Sequence, residues 1–350
     1  MNRKTFIFIA MLLLLPALAF GQSSQGSQEK TTPQGKAIQQ DKTTQQDKAA
    51  STEPQKTTKS DAEESTELSP LISVKELAEL LKSGTAGVKL LEPGRDSDNH
   101  TKGHLPNAQF LHWVNDMTCK EDVACYKNPS AEEFQKLMSR LGIENDDRIV
   151  IYDRLANRLS TRLYWTLKYF GHEKVQVLNG GIYAWAAENK LSKDVVKVDA
   201  SKYKIAATHE KILAEMKFVE DRLEDPKSKL IDGRPAEQYS GEVAGTIFHT
   251  GEKHTRKGHI PGAINVVWKD NFNKDGTFKT TEELQALYKE AGVLPDQCVI
   301  TYCNEGLHAA PPWFVLTQLL DFKDVRLYDS SMAEWSNSKN PLKKKTDKPK

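Results

Sequence analysis

A single thiol placed where a strand gives way to a loop is the feature of this chain best suited to chemistry. The run Val299-Ile300-Thr301-Tyr302 is β-branched and aromatic and reads as a short core strand; Cys303 follows it, and Pro311-Pro312 suit the first positions of a helix. At the end of a strand in an open parallel sheet, the loop amides and the first helical turn form an anion cradle, so ionisation of Cys303 is expected to be favoured. An ordinary cysteine is about 3% thiolate at pH 7, and a two-unit depression of its pKa makes it roughly 75% thiolate, the difference between an inert thiol and a nucleophile. A buried core cysteine is the competing reading.

The elements that must hold this thiol occur twice. Lys89-Leu90-Leu91-Glu92 leads to Gly103-His104-Leu105-Pro106-Asn107-Ala108, and Lys229-Leu230-Ile231-Asp232 leads to Gly258-His259-Ile260-Pro261-Gly262-Ala263. Each half continues with an acidic-rich helix candidate (Ser130 to Leu141; Thr281 to Ala291) and a strand (Asp147 to Tyr152; Gln297 to Tyr302). A long helical pattern, another strand (Val175 to Leu178; Val325 to Tyr328) and a tryptophan follow. Asp153 precedes Trp185 by 32 residues and Cys303 precedes Trp335 by 32, so Asp153 stands where the second half has its thiol. Strands alternating with helical stretches predict an α/β fold of two domains, each a mostly parallel sheet flanked by helices.

The chain has 350 residues, 38% of them hydrophobic and 28% charged, enough for roughly two domains plus polar extensions. A net charge of +1 gives no support for a nucleic-acid partner. Asn2 to Lys4 are polar and basic, Phe6 to Ala19 almost wholly apolar, and Ala19-Phe20-Gly21 suits a signal peptidase, so 1–21 reads as a secretory signal peptide; the apolar run is too short for a membrane anchor. The expectation is export to a bacterial periplasm, with no stable membrane span after signal cleavage. Residues 22–67 are rich in Gln, Lys, Thr and Ser and read as a disordered tether. The domains are placed at 68–190 and 214–338, joined by a charged linker over 191–213, and 339–350 reads as a solvated basic tail.

The doubled Gly-His-Ile/Leu-Pro-x-Ala motif, Leu230 to Arg234, the strand-end Cys303 in a loop closing at Ala309, and Val177 to Trp185 resemble the tandem-domain rhodaneses, the thiosulfate and 3-mercaptopyruvate sulfurtransferases. The resemblance covers nearly the whole globular part. It implies two rhodanese-like domains, the first inactive with Asp153 at the nucleophile position and the second catalytic. It further implies a ping-pong reaction in which Cys303 takes a sulfane sulfur from a small-molecule donor, becomes a persulfide, and yields it to a thiol or cyanide, with no metal or organic cofactor. Amide donors around the sulfur suit both anions.

The loop itself is Cys303-Asn304-Glu305-Gly306-Leu307-His308-Ala309, which matches neither Cys-Arg-Lys-Gly-Val-Thr-Ala of thiosulfate enzymes nor Cys-Gly-Ser-Gly-Val-Thr-Ala of mercaptopyruvate enzymes. A carboxylate about 4 Å from a thiolate costs roughly 4 kcal/mol near a surface, enough to cancel the cradle, so Glu305 is expected to point to solvent or to pair with a cation. His308 reads equally as a substrate contact, a proton donor or a packed loop residue. For an anionic donor the cationic candidates are Arg162, as substrate contact or interdomain salt bridge, with Arg234 and then Arg256 or Lys257. Arg234, Asp232 and His259 read first as scaffold. Cys298 reads as core, and Cys119 and Cys125 as a disulfide that export permits. An exported nucleophilic thiol also invites a thiol-redox partner or storage as persulfide. A cysteine phosphatase would need an arginine where Ala309 stands, which leaves a non-catalytic binding or sulfur-carrier module as the rival.

Overall fold

The computed structural model describes residues 68–84, 86–119, 127–247 and 250–345. Among these residues, ten strands fall into two five-stranded sheets. The first contains β1 (Leu71–Ile72), β2 (Val88–Gly94), β3 (Ala108–His112), β4 (Arg148–Ile151) and β5 (Val175–Leu178); the second contains β6 (Leu213–Ala214), β7 (Ser228–Asp232), β8 (Ile264–Asn265), β9 (Cys298–Tyr302) and β10 (Val325–Tyr328). Their spatial orders are β1-β5-β4-β2-β3 and β6-β10-β9-β7-β8, the same topology twice, so the duplication seen in the motifs extends to strand order. Every pairing is parallel. The expected α/β fold of two sheets flanked by helices is what the chain adopts.

Local sequence accounts for the helix starts. Ser73 with Glu76, Ser130 with Glu133 and Thr280 with Glu283 form capping boxes at Val74–Ser83, Ala131–Arg140 and Thr281–Glu290, each hydroxyl accepting an orphan N–H while the glutamate returns to the cap amide. Pro311 and Pro312 occupy the first turn of Ala310–Phe314, where a missing N–H costs nothing.

The largest hydrophobic cluster runs through both halves. Its seam is the helix Arg158–Tyr169 against Ala310–Phe314, with Tyr164 packed edge-on to Phe314 at 4.8 Å and donating to Gln318 Oε1 at 2.7 Å. These two helices follow the two strand-end loops, so packing the halves together brings both loops to one junction. The connector 191–213 runs largely exposed but is pinned by Tyr203, which packs edge-on against Phe134.

Two expectations need correction here. The tail does not leave as a solvated segment at 339: Pro341 accepts from Trp335 Nε1, Leu342 packs on the second core, and Lys343 exchanges backbone hydrogen bonds with His259. Backbone pairing and one leucine outweigh the lysines' preference for water. Cys298 is half-buried rather than in the core, because it opens its strand at the sheet's lower edge. The leader at 1–21, the tether at 22–67 and the end of the tail lie outside the described residues, as does Cys125; Cys119 is disulfide-bonded. Among the described residues no helix is long and apolar enough to cross a membrane, and no cluster of metal-ligating side chains occurs.

Candidate active site

Cys303 lies directly beyond β9, at the carboxyl edge of the middle strand of its sheet. Its side chain is 1% exposed, yet it lines a cavity of about 250 Å³ with Gln238, Thr246, Ile247, Asn304, Leu307 and His308. The loop is held from below by Ser331, whose Oγ accepts the N–H groups of Cys303 (3.0 Å) and Gly306 (3.2 Å) and donates to Tyr328 O at 2.6 Å. Met332 and Ala333 donate to the carbonyls of Cys303 and Asn304. The amides of Glu305, His308 and Ala309 converge on the sulfur, His308 N standing 3.2 Å from Sγ.

The cradle is therefore present, but it does not ionise the resting thiol. Burial pushes Cys303 up to about 11, and the Glu305 carboxylate acts in the same direction against the three amides. The expectation of a favoured thiolate is corrected: a sulfur cut off from water loses more hydration on ionising than these donors return. At pH 7 about one molecule in ten thousand would carry the thiolate, so the donors stabilise negative charge that arises during reaction.

Glu305 is 3% exposed, so of the two expectations for it, facing solvent or meeting a cation, the first fails. Its charge is felt by Arg158, a residue of the first domain that also feels Cys303 and Asp153. Arg158 donates from Nη1 to His308 Nε2 at 2.9 Å and lies 5.4 Å from the centre of the Trp268 ring. That bond fixes the His308 proton on Nδ1, which is enclosed without a partner. Burial, with the charges of Arg158 and Lys269, pushes the His308 imidazole down to about 3, so it is neutral and not a proton-donating imidazolium. Its ring stacks on Trp268.

The other proposed cations are scaffold. Arg162 is fully buried, with Nη1 2.5 Å from Asp329 Oδ1 as a close ion pair across the domain junction, Nη2 donating to Asn128, and its guanidinium over Trp165. Of its two readings the salt bridge holds and the substrate contact does not, since nothing in solution reaches it. Arg234 is likewise no substrate residue: its guanidinium grips Asp232 through Nε and Nη2 and donates to Gly258 O. Arg256 is spent on the carbonyls of Trp335, Ser336, Ser338 and Asn340, and Lys257 on Glu242 O. His259 fixes its turn through Tyr239 O and stacks on that ring. Asn304 is clamped between His254 Nε2, which donates to its Oδ1 at 3.0 Å, and Gln238 Oε1, which accepts from its Nδ2. Gly306 has φ +79°, and a Cβ there would lie 2.5 Å from Asp329 Oδ1, so the loop leans on the interdomain ion pair.

Arg158, Trp268, His254, Ser331 and Asp329 were not singled out from sequence. Ser331 carried a signal: it takes the place of Gly181 in the turn closing each sheet, and both have positive φ (50° and 58°). A serine held at a glycine's conformation is one the surroundings require.

The first-domain loop repeats the geometry with a carboxylate in place of the thiol. Asp153 accepts from the amides of Leu155 (2.7 Å), Asn157 (3.0 Å) and Ser160 (2.7 Å), filling the cradle with its own oxygens. Ile182 donates to Asp153 O as Met332 does to Cys303 O.

The ionisation state is open to a direct check. Alkylation of Cys303 by iodoacetamide is expected to accelerate about tenfold per pH unit between pH 7 and 10 without a plateau, because the reactive thiolate grows as pH rises towards the thiol's pKa. Glu305→Gln removes a charge that opposes ionisation and should speed alkylation at fixed pH by several-fold to about tenfold. A plateau below about pH 8.5, the ordinary cysteine range, would contradict the buried-thiol account.

Comparison with known proteins agrees with this geometry. The chain is 36% identical over 254 residues to the sulfur carrier protein TtuD of Thermus thermophilus, covering 71% of this chain and 88% of that one. It is 36% identical over 261 residues to the thiosulfate sulfurtransferase of Corynebacterium glutamicum, covering 73% and 84%. Among solved structures, SseA of Escherichia coli, a 3-mercaptopyruvate sulfotransferase, superposes with a TM-score of 0.66 at 27% identity over 75% of this chain and 99% of that one. The rhodanese-like domain matches twice, at residues 73–188 and 215–338, one copy on each sheet; the chain belongs to the rhodanese family.

Proposed function

We propose that the protein is a sulfurtransferase that moves a sulfane sulfur through a Cys303 persulfide, with thiosulfate or a related small molecule as donor. The observation that carries this is the Cys303 sulfur on a cavity wall beneath three converging amides. In the first half-reaction Cys303 Sγ attacks the outer sulfur of the donor. A new S–S bond forms, the donor's bond to that sulfur breaks, and the electron pair leaves with it, as sulfite where the donor is thiosulfate. The thiol proton passes to the leaving group or to water. In the second, a thiol or cyanide attacks the outer sulfur, and the pair returns to Sγ, where the amides receive the charge. Those donors need no reorientation at either step.

A sulfur-carrier role is the second reading, supported by the Thermus thermophilus relative and by one feature of the cavity: its described lining includes Glu305 and no lysine or arginine. Parallel assays with thiosulfate and 3-mercaptopyruvate, reading thiocyanate and pyruvate, separate the two. Turnover of either supports the enzyme, whereas one stoichiometric loading of Cys303 without turnover supports the carrier. We also propose export to a bacterial periplasm and a Cys119–Cys125 disulfide. The first rests on the apolar run Phe6 to Ala19. N-terminal sequencing of the mature protein is expected to begin after the 1–21 leader, and an intact Met1 would refute it.

A further inference from the structure

The first domain's loop has lost its nucleophile but not its mouth. Arg154, Leu155 and Arg158 stand at the positions of Asn304, Glu305 and His308 in the second half, and they line a separate cleft of about 380 Å³ at the domain junction. The opposite wall comes from the second domain, with Trp268, Lys269 and Lys274. That segment is locked onto the first domain: Asn157 Nδ2 in the loop donates to Gly276 O, and Phe278 N donates to Asn179 Oδ1 in the turn after β5.

The two clefts differ in charge. Where the Cys303 cavity has Glu305 and a neutral imidazole, this one has Leu155 and a guanidinium. Lys269 and Lys274 are exposed and have no carboxylate within ion-pair distance among the described residues. The cleft's one acidic residue, Asp275, accepts from Thr277 N and Oγ1. The walls are also apolar: Tyr183, 64% exposed, and Leu155 are among the few large hydrophobic side chains left open to water. A void of this size is several times that of an inorganic oxyanion, and its two exposed lysines beside aromatic surface fit a ligand that is both anionic and apolar.

We propose that this junction cleft is a binding site for a small organic anion with an apolar or aromatic body. Lys269 and Lys274 meet the anionic group, Arg158 closes the floor, and Tyr183 and Trp268 cover the apolar part. The site holds no nucleophile, because Asp153 is buried under its own amides, so it binds and does not react. Cys303 does not line it, and Cys303→Ser protein should bind as wild type does.

The probe is 8-anilinonaphthalene-1-sulfonate, followed by its fluorescence, with inorganic phosphate as competitor. Saturable binding is expected. It should weaken about tenfold in Lys269→Gln/Lys274→Gln and, separately, in Tyr183→Ala, while phosphate competes only weakly. All three side chains are exposed, so the variants should fold normally. Lys136→Gln/Lys323→Gln removes two charges elsewhere and is expected to leave binding unchanged. Affinity that stays within about twofold in either cleft variant, or that falls equally in the control, would overturn the proposal.

Discussion

Cys303→Ser is expected to abolish sulfur transfer, lowering turnover of thiosulfate or 3-mercaptopyruvate by at least about three orders of magnitude while leaving the fold intact. A serine oxygen is a poor nucleophile towards sulfur and cannot form the persulfide. The thiol it replaces makes no contact that an oxygen cannot in part replace, since its partners in the cradle are the N–H groups of Glu305, His308 and Ala309. Unfolding free energy should therefore move by no more than about 1 kcal/mol. Intact mass of protein incubated with donor supplies the decisive readout: wild type should gain one sulfur that a reducing thiol removes, and the variant none. Sulfur loading that persists in Cys303→Ser would sink the mechanism. Loading in wild type without turnover would instead select the carrier reading, so failure of catalysis and failure of the persulfide are separately visible.

What was legible in the chain was what local sequence determines. The β-branched run before Cys303, the Pro-Pro start of the next helix, the acidic-rich helix candidates and the equal spacing of Asp153–Trp185 and Cys303–Trp335 all depend on neighbours in sequence, and each reappears in the sheets and helices. What was not legible depends on pairs far apart in the chain. Arg158 reaches His308 across 150 residues, and Asn304 is clamped by His254 across 50. Glu305 was expected to face solvent or to pair with a cation because a lone carboxylate beside a sulfur is unfavourable; the side chain is buried, and the cation that feels its charge, Arg158, comes from the other domain. The ionisation of Cys303 was misjudged for a related reason. Counting amide donors captures their attraction but not the hydration lost at a site whose closure is set by tertiary packing.

Arg162→Met is expected to cost about 3–5 kcal/mol of unfolding free energy. The guanidinium is enclosed by Trp165, Trp113 and the Asp329 carboxylate, and its removal leaves Asp329 buried with the Asn128 amide donating to its Oδ2 but, among the described residues, no cation beside it. Most of the loss is the uncompensated charge rather than the attraction itself, so Arg162→Met/Asp329→Leu should recover a large part of it, and urea unfolding of the four-member cycle measures the coupling. Arg162→Lys keeps the charge but not the planar fork and should fall between. Because Gly306 rests against this pair, loosening it should disturb the Cys303 loop, and donor turnover should fall together with stability. A direct substrate contact predicts a different pattern: KM would rise in Arg162→Met with unfolding unchanged, and the Asp329→Leu partner would rescue nothing. That outcome would return Arg162 to the substrate site, whereas loss and recovery of stability would assign the first domain a defined task, holding the second domain's sulfur loop in place through one buried charge pair.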